Sequence, residues 1–511
     1  MLAETWIPDL SALFSRFGAE TVLALAVPGV LLADLLAGRE KRENVAGVVG
    51  LAALAVAFFL ALFQPSGENA ALTKLLRADG LAKAFRILAT GTGMIAAVAA
   101  LRGGDLKRSR AEFHVLLIGA VLGACLTAAA NDLAMLYVAV ETLSIGGYLL
   151  AGFKRDNPEG SEAALKYVIF GAISSGLMLY GMTLLYGFAG TATISTPPGA
   201  DYNSITAVAS SASKSPAFLV AIVLVFAGLA YKIAAAPFQF WCPDVYQGSP
   251  TSVAAFLAVA SKGAGFAAVL RIVGAVTDGG RALPEALGAS NDTIRLVLLG
   301  MALLTMTIGN VAALRQNNSK RLLAYSAIAH AGYLLMGVCV TTGDGAAAVV
   351  FYMVVYLFMT LGAFLMVALV ERETGRTDVD AFTGLGFTAP ALAVCMTVCL
   401  LGLTGLPPTG GFVGKFFLFK EVFAYGGAHD APLFFWGGVI GLLNGVVSLY
   451  YYARFLKVMY LCDMDRLPKS SHSFAALDKG LMFAVTVPVL VLGVAFGRLH
   501  DFARELTGGL F

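Results

Sequence analysis

Apolar stretches as long as a bilayer is thick recur along nearly the whole chain, and they restrict the fold more than any other feature. A membrane-spanning helix needs about 20 predominantly apolar residues, and polar segments divide this sequence into about fourteen stretches of that kind. Charged residues make up 13% of the 511 residues, which is roughly half of their share in a soluble domain. The sequence therefore predicts an all-α, polytopic membrane protein.

Two of the expected spans, the seventh and the twelfth, are predicted to be broken at prolines. The seventh carries Pro237, and the twelfth is too long for one straight crossing and contains Pro407 and Pro408 within GLTGLPPTGGF. Proline removes a backbone hydrogen bond from a helix, and open backbone at membrane depth is tolerated only inside protein or beside a wet cavity. Both spans are therefore predicted to be broken helices that face the protein interior. The predicted span limits are 19–37, 45–64, 83–101, 113–130, 132–153, 164–188, 216–241, 250–275, 294–314, 321–342, 346–371, 387–425, 432–458 and 477–498.

Lysine and arginine residues are concentrated in particular loops, and this bias predicts the orientation. They follow spans 1, 3, 5, 9, 11 and 13, whereas the loops after spans 4, 10 and 12 carry none. Since loops rich in Lys and Arg stay in the cytoplasm, both termini are expected on the opposite side of the membrane. Two loops disagree, because the one after span 7 has no cation and the one after span 8 has Arg281.

Net charge and cysteine content argue against two other classes of protein. A formal net charge of +3, without a basic run interleaved with aromatic residues, gives no support for nucleic-acid binding. The six cysteines are scattered, and even Cys395 and Cys399, four residues apart, have no histidine or further thiol nearby. A metal site needs more ligands at suitable spacing. We therefore predict no metal site and interpret the cysteines, Cys462 included, as small core residues.

An internal repeat is visible in SIGGYLLAGF (144–153) and AHAGYLLMGV (329–338), which align on Gly147 and Gly332. Two spans after each copy comes a proline-broken span that carries a lysine. Five spans separate the copies, and this odd number inverts the second copy in the membrane. Inverted repeats with broken helices at matching positions are typical of transporters and place ion sites near the midplane. The predicted organisation is a three-helix segment (1–110), a first five-helix repeat of spans 4–8 (111–276), a second, inverted repeat of spans 9–13 (290–460) and a C-terminal helix (461–511).

Four charged residues lie away from the span ends: Glu141, Lys232, Lys262 and Lys415. Each is unfavourable at a helix centre by about 2.5–3.5 kcal/mol, so we expect all four to face the interior, find partners and mark a pathway. Waters would bridge the gaps between groups on four different helices. Protons would then enter through one broken helix and leave through the other.

Other interpretations of individual residues remain open. Glu141 is either a proton acceptor or a structural carboxylate that pairs with a lysine and pins two helices. Lys232 either exchanges protons or extends its ammonium group to a membrane interface. His330, which aligns with Ile145 in the repeat, is either a proton relay, since its unperturbed pKa is about 6.5, or a packing residue.

Five motifs carry a resemblance to a known family. They are the glutamate of span 5, KIAAAPFQFWCPDVYQGSPTSV from Lys232, SKGAGF with Lys262, SAIAHAGYLLMG with His330, and GLPPTGGFVGKF with Lys415. Together the sequence closely resembles the antiporter-like subunits of respiratory complex I, the proton-pumping NADH:quinone oxidoreductase. The motifs span 135–425, and the fourteen-span plan extends the likeness over nearly the whole chain.

Among the three branches of that family, usually called L, M and N, the sequence is most similar to the N-type. The L-type continues into a long lateral helix, whereas this chain reaches Phe511 soon after span 14. The M-type has a glutamate in the place of Lys415. The related cation/proton antiporter subunits of multisubunit Na⁺/H⁺ exchangers share most of the motifs and remain the alternative.

The resemblance implies roles for the buried charges. Glu141 and Lys232 would form a charge pair that senses a neighbouring subunit, Lys262 would be the central relay, and Lys415 the terminal proton donor. The partners would be other membrane subunits of complex I, including adjacent antiporter-like and small membrane subunits, in a bacterial inner membrane with both termini on the periplasmic side.

Redox chemistry is expected elsewhere in the assembly. The chain has no nicotinamide or flavin fingerprint and no cysteine framework for iron–sulfur clusters. This agrees with what the resemblance implies, namely no cofactor in this chain, and the flavin, the iron–sulfur clusters and the quinone site in partner subunits. Quinone reduction there would drive proton translocation here. A structural membrane scaffold is a third hypothesis, and it would tolerate neutralisation of the buried charges.

Overall fold

The computed structural model describes residues 10–38, 42–66, 74–102, 110–154, 157–196, 203–212, 215–277, 288–461, 474–508 and 510. Arg281 and Cys462 lie outside these ranges, as does part of the loop charge on which the predicted orientation rests. In chain order the α-helices are α1 (Leu10–Leu36), α2 (Arg42–Phe63), α3 (Gly80–Arg102), α4 (Arg110–Ala129), α5 (Leu133–Ala151), α6 (Pro158–Ala189), α7 (Ile205–Ala212), α8 (Pro216–Ile233), α9 (Trp241–Gly248), α10 (Thr251–Phe256), α11 (Lys262–Val276), α12 (Gly288–Ala313), α13 (Ser319–Cys339), α14 (Gly343–Thr374), α15 (Leu385–Thr388), α16 (Pro390–Thr404), α17 (Gly410–Ala428), α18 (Pro432–Tyr460), α19 (Ala476–Val494) and α20 (Gly497–Thr507).

The predicted all-α membrane fold is confirmed. Within the described ranges, thirteen helical segments are long and apolar enough to cross a membrane. One of them runs from α10 through a π-helical turn at Leu257–Ser261 into α11. The predicted twelfth span is divided between the shorter apolar helix α16 and the helix α17.

The prolines interrupt the two broken spans as predicted. The helix α8 ends at Ile233, Ala234 adopts a left-handed conformation with φ 56°, and Pro237 lies in the segment before α9. In the second break α16 ends at Thr404 and Gly405 has φ 88°. A left-handed residue after the last turn is a common way for a helix to end, and a proline two or three residues later prevents the helix from continuing.

The backbone freed at the first break finds partners from other helices. The indole Nε1 of Trp241 donates to the carbonyl of Tyr231 at 3.1 Å, and the amide of Ala236 donates to Thr305 Oγ1 of α12 at 2.9 Å. Open backbone at membrane depth is thus hydrogen-bonded inside the protein, as its placement there requires.

The two repeats show the same close helix crossing. A Cβ atom on Gly146 of α5 would lie 2.9 Å from Ala120 of α4, and one on Gly332 of α13 would lie 2.5 Å from the amide of Met306 of α12. Gly332 therefore occupies the same place in the second repeat as Gly146, not Gly147, in the first. The alignment of the repeats follows from these backbone contacts and not from the shared G-Y-L-L sequence. This shifts the predicted alignment by one residue, so that His330 corresponds to Ser144 and not to Ile145.

An additional helix, α20, follows the last span and was not predicted. Leu499, Ala503 and Thr507 recur at helical spacing on its inner face, with Ala503 and Thr507 fully buried. Arg504 forms an ion pair with Asp344 at 2.8 Å. The helix is short and largely polar, which is why a search for apolar stretches did not find it.

Candidate functional site

The three lysines of the predicted pathway are buried within the helix bundle. The exposed fractions of Lys232, Lys262 and Lys415 are 3%, 1% and 6%. Lys232 therefore does not reach a membrane interface, and the corresponding interpretation is wrong. Buried ammonium groups need hydrogen-bond acceptors, and the acceptors of the three lysines define the site.

Lys232 lies at the end of α8, one residue before the helix ends, and contacts α5. Its Nζ donates to Ser144 Oγ at 2.9 Å. Glu141, one turn earlier on α5 and only half-buried, accepts a hydrogen bond from Ser175 of α6. Within the described contacts Lys232 thus meets the face of α5 that carries Glu141 through a serine hydroxyl, and forms no ion pair with the carboxylate itself.

Lys262 connects the two repeats. It is the first residue of α11, directly after the π-helical turn, and its Nζ donates to the carbonyl of Ala327 on α13. One turn further, Gly265 lies against the side chain of Lys232, since a Cβ atom there would be 3.4 Å from Lys232 Cγ. The helix α11 therefore contacts Lys232 on one side and carries Lys262 to the second repeat on the other.

His330 lies one turn after Ala327 on α13, between the contact of Lys262 and that of Lys415. Its Nδ1 is 2.6 Å from the hydroxyl of Tyr352, and its Nε2 is 3.5 Å from the hydroxyl of Tyr452. The imidazole is 1% exposed. It is thus hydrogen-bonded on both nitrogens to phenolic hydroxyls, which suits a packing residue and a proton relay equally.

Lys415 is held by the broken end of its own span. Its Nζ donates to the carbonyls of Leu403 and Thr404 at 3.0 and 2.8 Å. These carbonyls belong to the last turn of α16, where backbone acceptors lack intrahelical partners and the helix dipole is negative. The ring centroid of Tyr333 lies 4.4 Å from Nζ. The break therefore forms a binding site for a cation.

Buried hydroxyls beside this chain of lysines lack well-formed hydrogen bonds in the described part of the protein. Tyr148 lies one turn after Ser144, Ser261 precedes Lys262, and the ring of Tyr356 lies 5.2 Å from that of His330. Buried polar groups of this kind usually bind ordered water. They mark positions where water would join the lysines.

Several groups of the site were not predicted from the sequence. Ser144, Tyr333 and the acceptor carbonyls were not assigned, although the i, i+3 spacing of Glu141 and Ser144 places both on one helix face. The carbonyls carry no signal in the sequence, because their role depends on where the fold brings the lysines.

A buried ion pair in the N-terminal segment was not predicted. Arg86 Nε of α3 and Glu20 Oε1 of α1 are 2.6 Å apart, and the residues are 1% and 5% exposed. The predicted first span placed Glu20 at its end, whereas α1 begins at Leu10. Neither residue contacts Lys232, Lys262 or Lys415 within the described structure.

Metal ligation has no support in the described residues. No group of three or more histidine, cysteine or acidic side chains is placed to hold an ion there. The five cysteines in these ranges are free and buried, and burial is the role predicted for them.

Comparison with known proteins agrees with this geometry. A family model described as NADH:quinone oxidoreductase/Mrp antiporter, TM, matches residues 130–441. The protein named NADH-quinone oxidoreductase subunit N 2 of Sorangium cellulosum (strain So ce56) is 41% identical, with 98% of each chain covered. NADH-quinone oxidoreductase subunit N of Anaeromyxobacter sp. (strain Fw109-5) is 40% identical over 94% of this chain and 93% of that protein.

Solved structures show the same fold. A chain of respiratory complex I from Thermus thermophilus, solved with bound aureothin, matches with a TM-score of 0.75 and 31% identity over 94% of this chain and 98% of its own. A chain of the Mrp complex from Dietzia sp. DQ12-45-1b matches in fold, with a TM-score of 0.80 at 19% identity over 96% and 97% of the two chains. The chain therefore belongs to the membrane-protein family that NADH:quinone oxidoreductases and Mrp antiporters share.

Proposed function

We propose that this chain translocates protons as the N-type membrane subunit of a bacterial NADH:quinone oxidoreductase. The observation that carries the proposal is that three buried lysines adjoin two helices, α11 and α13. Lys232 lies against α11, and Lys262 of α11 donates to Ala327 of α13. Lys415 lies over Tyr333, one turn after His330 on α13. The similarity to proteins named subunit N supports the assignment to that complex. The partners are its other membrane subunits, including adjacent antiporter-like and small ones.

Each group has a distinct part in the relay. Glu141, half-buried at the surface of α5, exchanges a proton and a charge with its surroundings, and the hydroxyl of Ser144 transmits this to Lys232. Lys262 passes protons between the repeats, through water and the polar face of α13 on which His330 lies. Lys415 releases its proton at the second break. The acceptors of the three ammonium groups are neutral. Each lysine can therefore lose its proton without leaving an unpaired, buried carboxylate behind.

The chain itself performs no redox step in this proposal. Flavin, iron–sulfur clusters and the quinone site belong to partner subunits, and quinone reduction there changes the charge near Glu141. The subunit is thus part of an enzyme through translocation alone. It lies in the inner membrane, with both termini on the periplasmic side as the loop charges predict.

Neutralising a central lysine tests the function. We expect Lys262→Ala to reduce proton uptake, measured per quinone reduced in vesicles that contain the assembled complex, by at least about tenfold, since its charge and its donor to Ala327 are both lost. Lys479→Ala, which neutralises a lysine in the first turn of α19, is the matched control and should pump normally. Unchanged pumping in Lys262→Ala would favour a structural scaffold.

The alternative, a cation/proton antiporter subunit of a multisubunit Na⁺/H⁺ exchanger, is favoured by the fold shared with the Mrp complex. Proton uptake in Na⁺-free buffer during NADH oxidation separates the two functions. A subunit of the oxidoreductase should pump without sodium ions, whereas an exchanger should require an imposed sodium gradient and no NADH.

A further inference from the structure

The aromatic ring of Tyr333 lies over the ammonium group of Lys415. We propose that Tyr333 is a positioning residue of the relay, whose ring face binds the charged form of Lys415 while a buried amide network fixes the ring. The inference rests on the proposed function, because it concerns the residue that holds the last lysine of the pathway.

The contact has the geometry of a cation–π interaction. Lys415 Nζ is 4.4 Å from the ring centroid, within the roughly 6 Å over which such attraction operates. The lysine is 6% exposed and Tyr333 is 1% exposed. Exclusion of water strengthens attraction between a cation and a ring face. Tyr333 therefore adds a third acceptor to the carbonyls of Leu403 and Thr404.

A polar network holds the phenol of Tyr333 from behind. Asn310 Nδ2 of α12 donates to the Tyr333 hydroxyl at 3.0 Å and to Asn444 Oδ1 of α18 at 3.1 Å. Asn310 Oδ1 accepts from the hydroxyl of Tyr451 at 2.9 Å. Asn310 and Tyr451 are fully buried, and Asn444 is 7% exposed. A satisfied network of buried polar groups fixes side-chain orientation, so the ring has one position relative to Lys415.

Aromatic neighbours leave a face of the ring to the lysine. The rings of His330 and Phe419 lie 5.6 and 6.1 Å from that of Tyr333, at interplanar angles of 73° and 83°. Both contacts are edge-to-face. The arrangement therefore combines a ring held by hydrogen bonds with a cation on its face.

In the described part of the first repeat, no tyrosine ring occupies the corresponding position beside Lys232. In the register set by the helix crossing, Tyr333 corresponds to Gly147, which presents no side chain to Lys232. Lys232 donates to the hydroxyl of Ser144 instead. Among the three pathway lysines, the contacts of the described residues place a ring face only on Lys415, where it takes the place of the serine hydroxyl as the side-chain acceptor.

Fluorinated phenylalanines at position 333 test the proposal. Each fluorine weakens the negative potential of the ring face while the ring volume changes little. We expect Tyr333→Phe to retain at least about half of the protons pumped per quinone reduced. Pumping should then fall stepwise with one, three and five fluorines, to about one tenth with five. A flat response along this series would overturn the proposal.

Two controls separate this inference from the proposed function. The same series at Phe455, a buried ring that packs edge-on against Phe382, should leave pumping unchanged. Lys415→Ala should lose pumping while the complex still assembles. If Lys415→Ala loses pumping but pumping does not change along the fluorinated series at position 333, only the role of Tyr333 is refuted. Normal pumping in Lys415→Ala would refute the proposed function.

Discussion

At the scale of single residues, the three lysines of the proposed pathway are held by neutral acceptors. Lys232 donates to a hydroxyl, Lys262 to a backbone carbonyl, and Lys415 to two carbonyls beside an aromatic ring. A buried ion pair that loses one charge leaves the other uncompensated, which is strongly unfavourable. Neutral acceptors satisfy an ammonium group without that penalty, and this suits groups that must gain and lose protons repeatedly.

Removing the acceptor of Lys232 tests this idea. Ser144→Ala deletes the hydroxyl that accepts from Lys232, and hydrogen bonds to charged groups contribute about 1.5–3 kcal/mol. We therefore expect proton pumping per quinone reduced to fall about tenfold or more, and Ser144→Thr to restore most of it. Thr142→Val, which removes a hydroxyl bonded only to its own helix at Val138, should pump normally. Equal pumping in Ser144→Ala and Thr142→Val would contradict the role of Ser144.

At the scale of helices, the crossing of α12 and α13 holds the second repeat together. A Cβ atom on Gly332 would lie 2.5 Å from the backbone amide of Met306. Backbone atoms cannot move aside as a flexible side chain can, so the helices would have to separate. Because α13 carries Ala327, His330 and Tyr333, this separation would also displace the contacts of Lys262 and Lys415.

Adding one methyl group at the crossing should therefore be damaging. We expect Gly332→Ala to destabilise the protein by about 1–3 kcal/mol, as overpacking of a core does, and to reduce the amount of complex recovered from membranes. Gly300→Ala on α12, where a Cβ atom meets nothing within 4 Å, is the matched control. Native gel electrophoresis of solubilised membranes measures the amount of assembled complex in both variants. A normal amount of complex with Gly332→Ala would show that the two helices tolerate an added methyl group at the crossing.

The breaks were predictable from the sequence, whereas the lysine contacts were not. Pro237 and the pair Pro407–Pro408 interrupt long apolar runs shortly after a left-handed residue ends the helix, whereas Pro28 and Pro488 lie inside α1 and α19. The acceptors of Lys262 and Lys415 are backbone carbonyls, which every residue has. Only the contact of Lys262 with α13, and the packing of α17 against the end of α16, selects Ala327, Leu403 and Thr404.

The burial of Glu20 was not predicted from the sequence. Glu20 was placed at a span end, because the helix that contains it begins nine residues earlier than the apolar run suggested. The repeat was visible in the sequence, but its register was not. The G-Y-L-L match gives an alignment that is one residue away from the alignment given by the closest contacts between the helix backbones. Periodicity thus locates helices, and tertiary contact decides how they align.

At the scale of the whole molecule, the short helix α9 joins the two repeats through one carboxylate. Asp244 Oδ2 accepts from Lys166 of α6 at 2.6 Å, and Asp244 Oδ1 pairs with Arg321 of α13. One partner belongs to the first repeat and the other to the second. Burial by itself would raise the pKa of Asp244, but the hydrogen bonds and charges of Lys166 and Arg321 outweigh it, so the pKa lies below its usual value.

This cluster predicts a pH dependence of stability. Because folded Asp244 binds its proton more weakly than the unfolded residue does, its contribution is complete above the unfolded pKa of about 4 and is lost as the pH falls through the lower, folded value. Asp244→Asn should therefore lower the Tm of the purified complex by roughly 1–2 °C at pH 6–8, and the difference from the unmodified protein should shrink below pH 4. Asp378→Asn, in an exposed pair with Arg376, should change Tm by much less. An equal shift in both variants, or one that grows on acidification, would mean that Asp244 does not hold the repeats together.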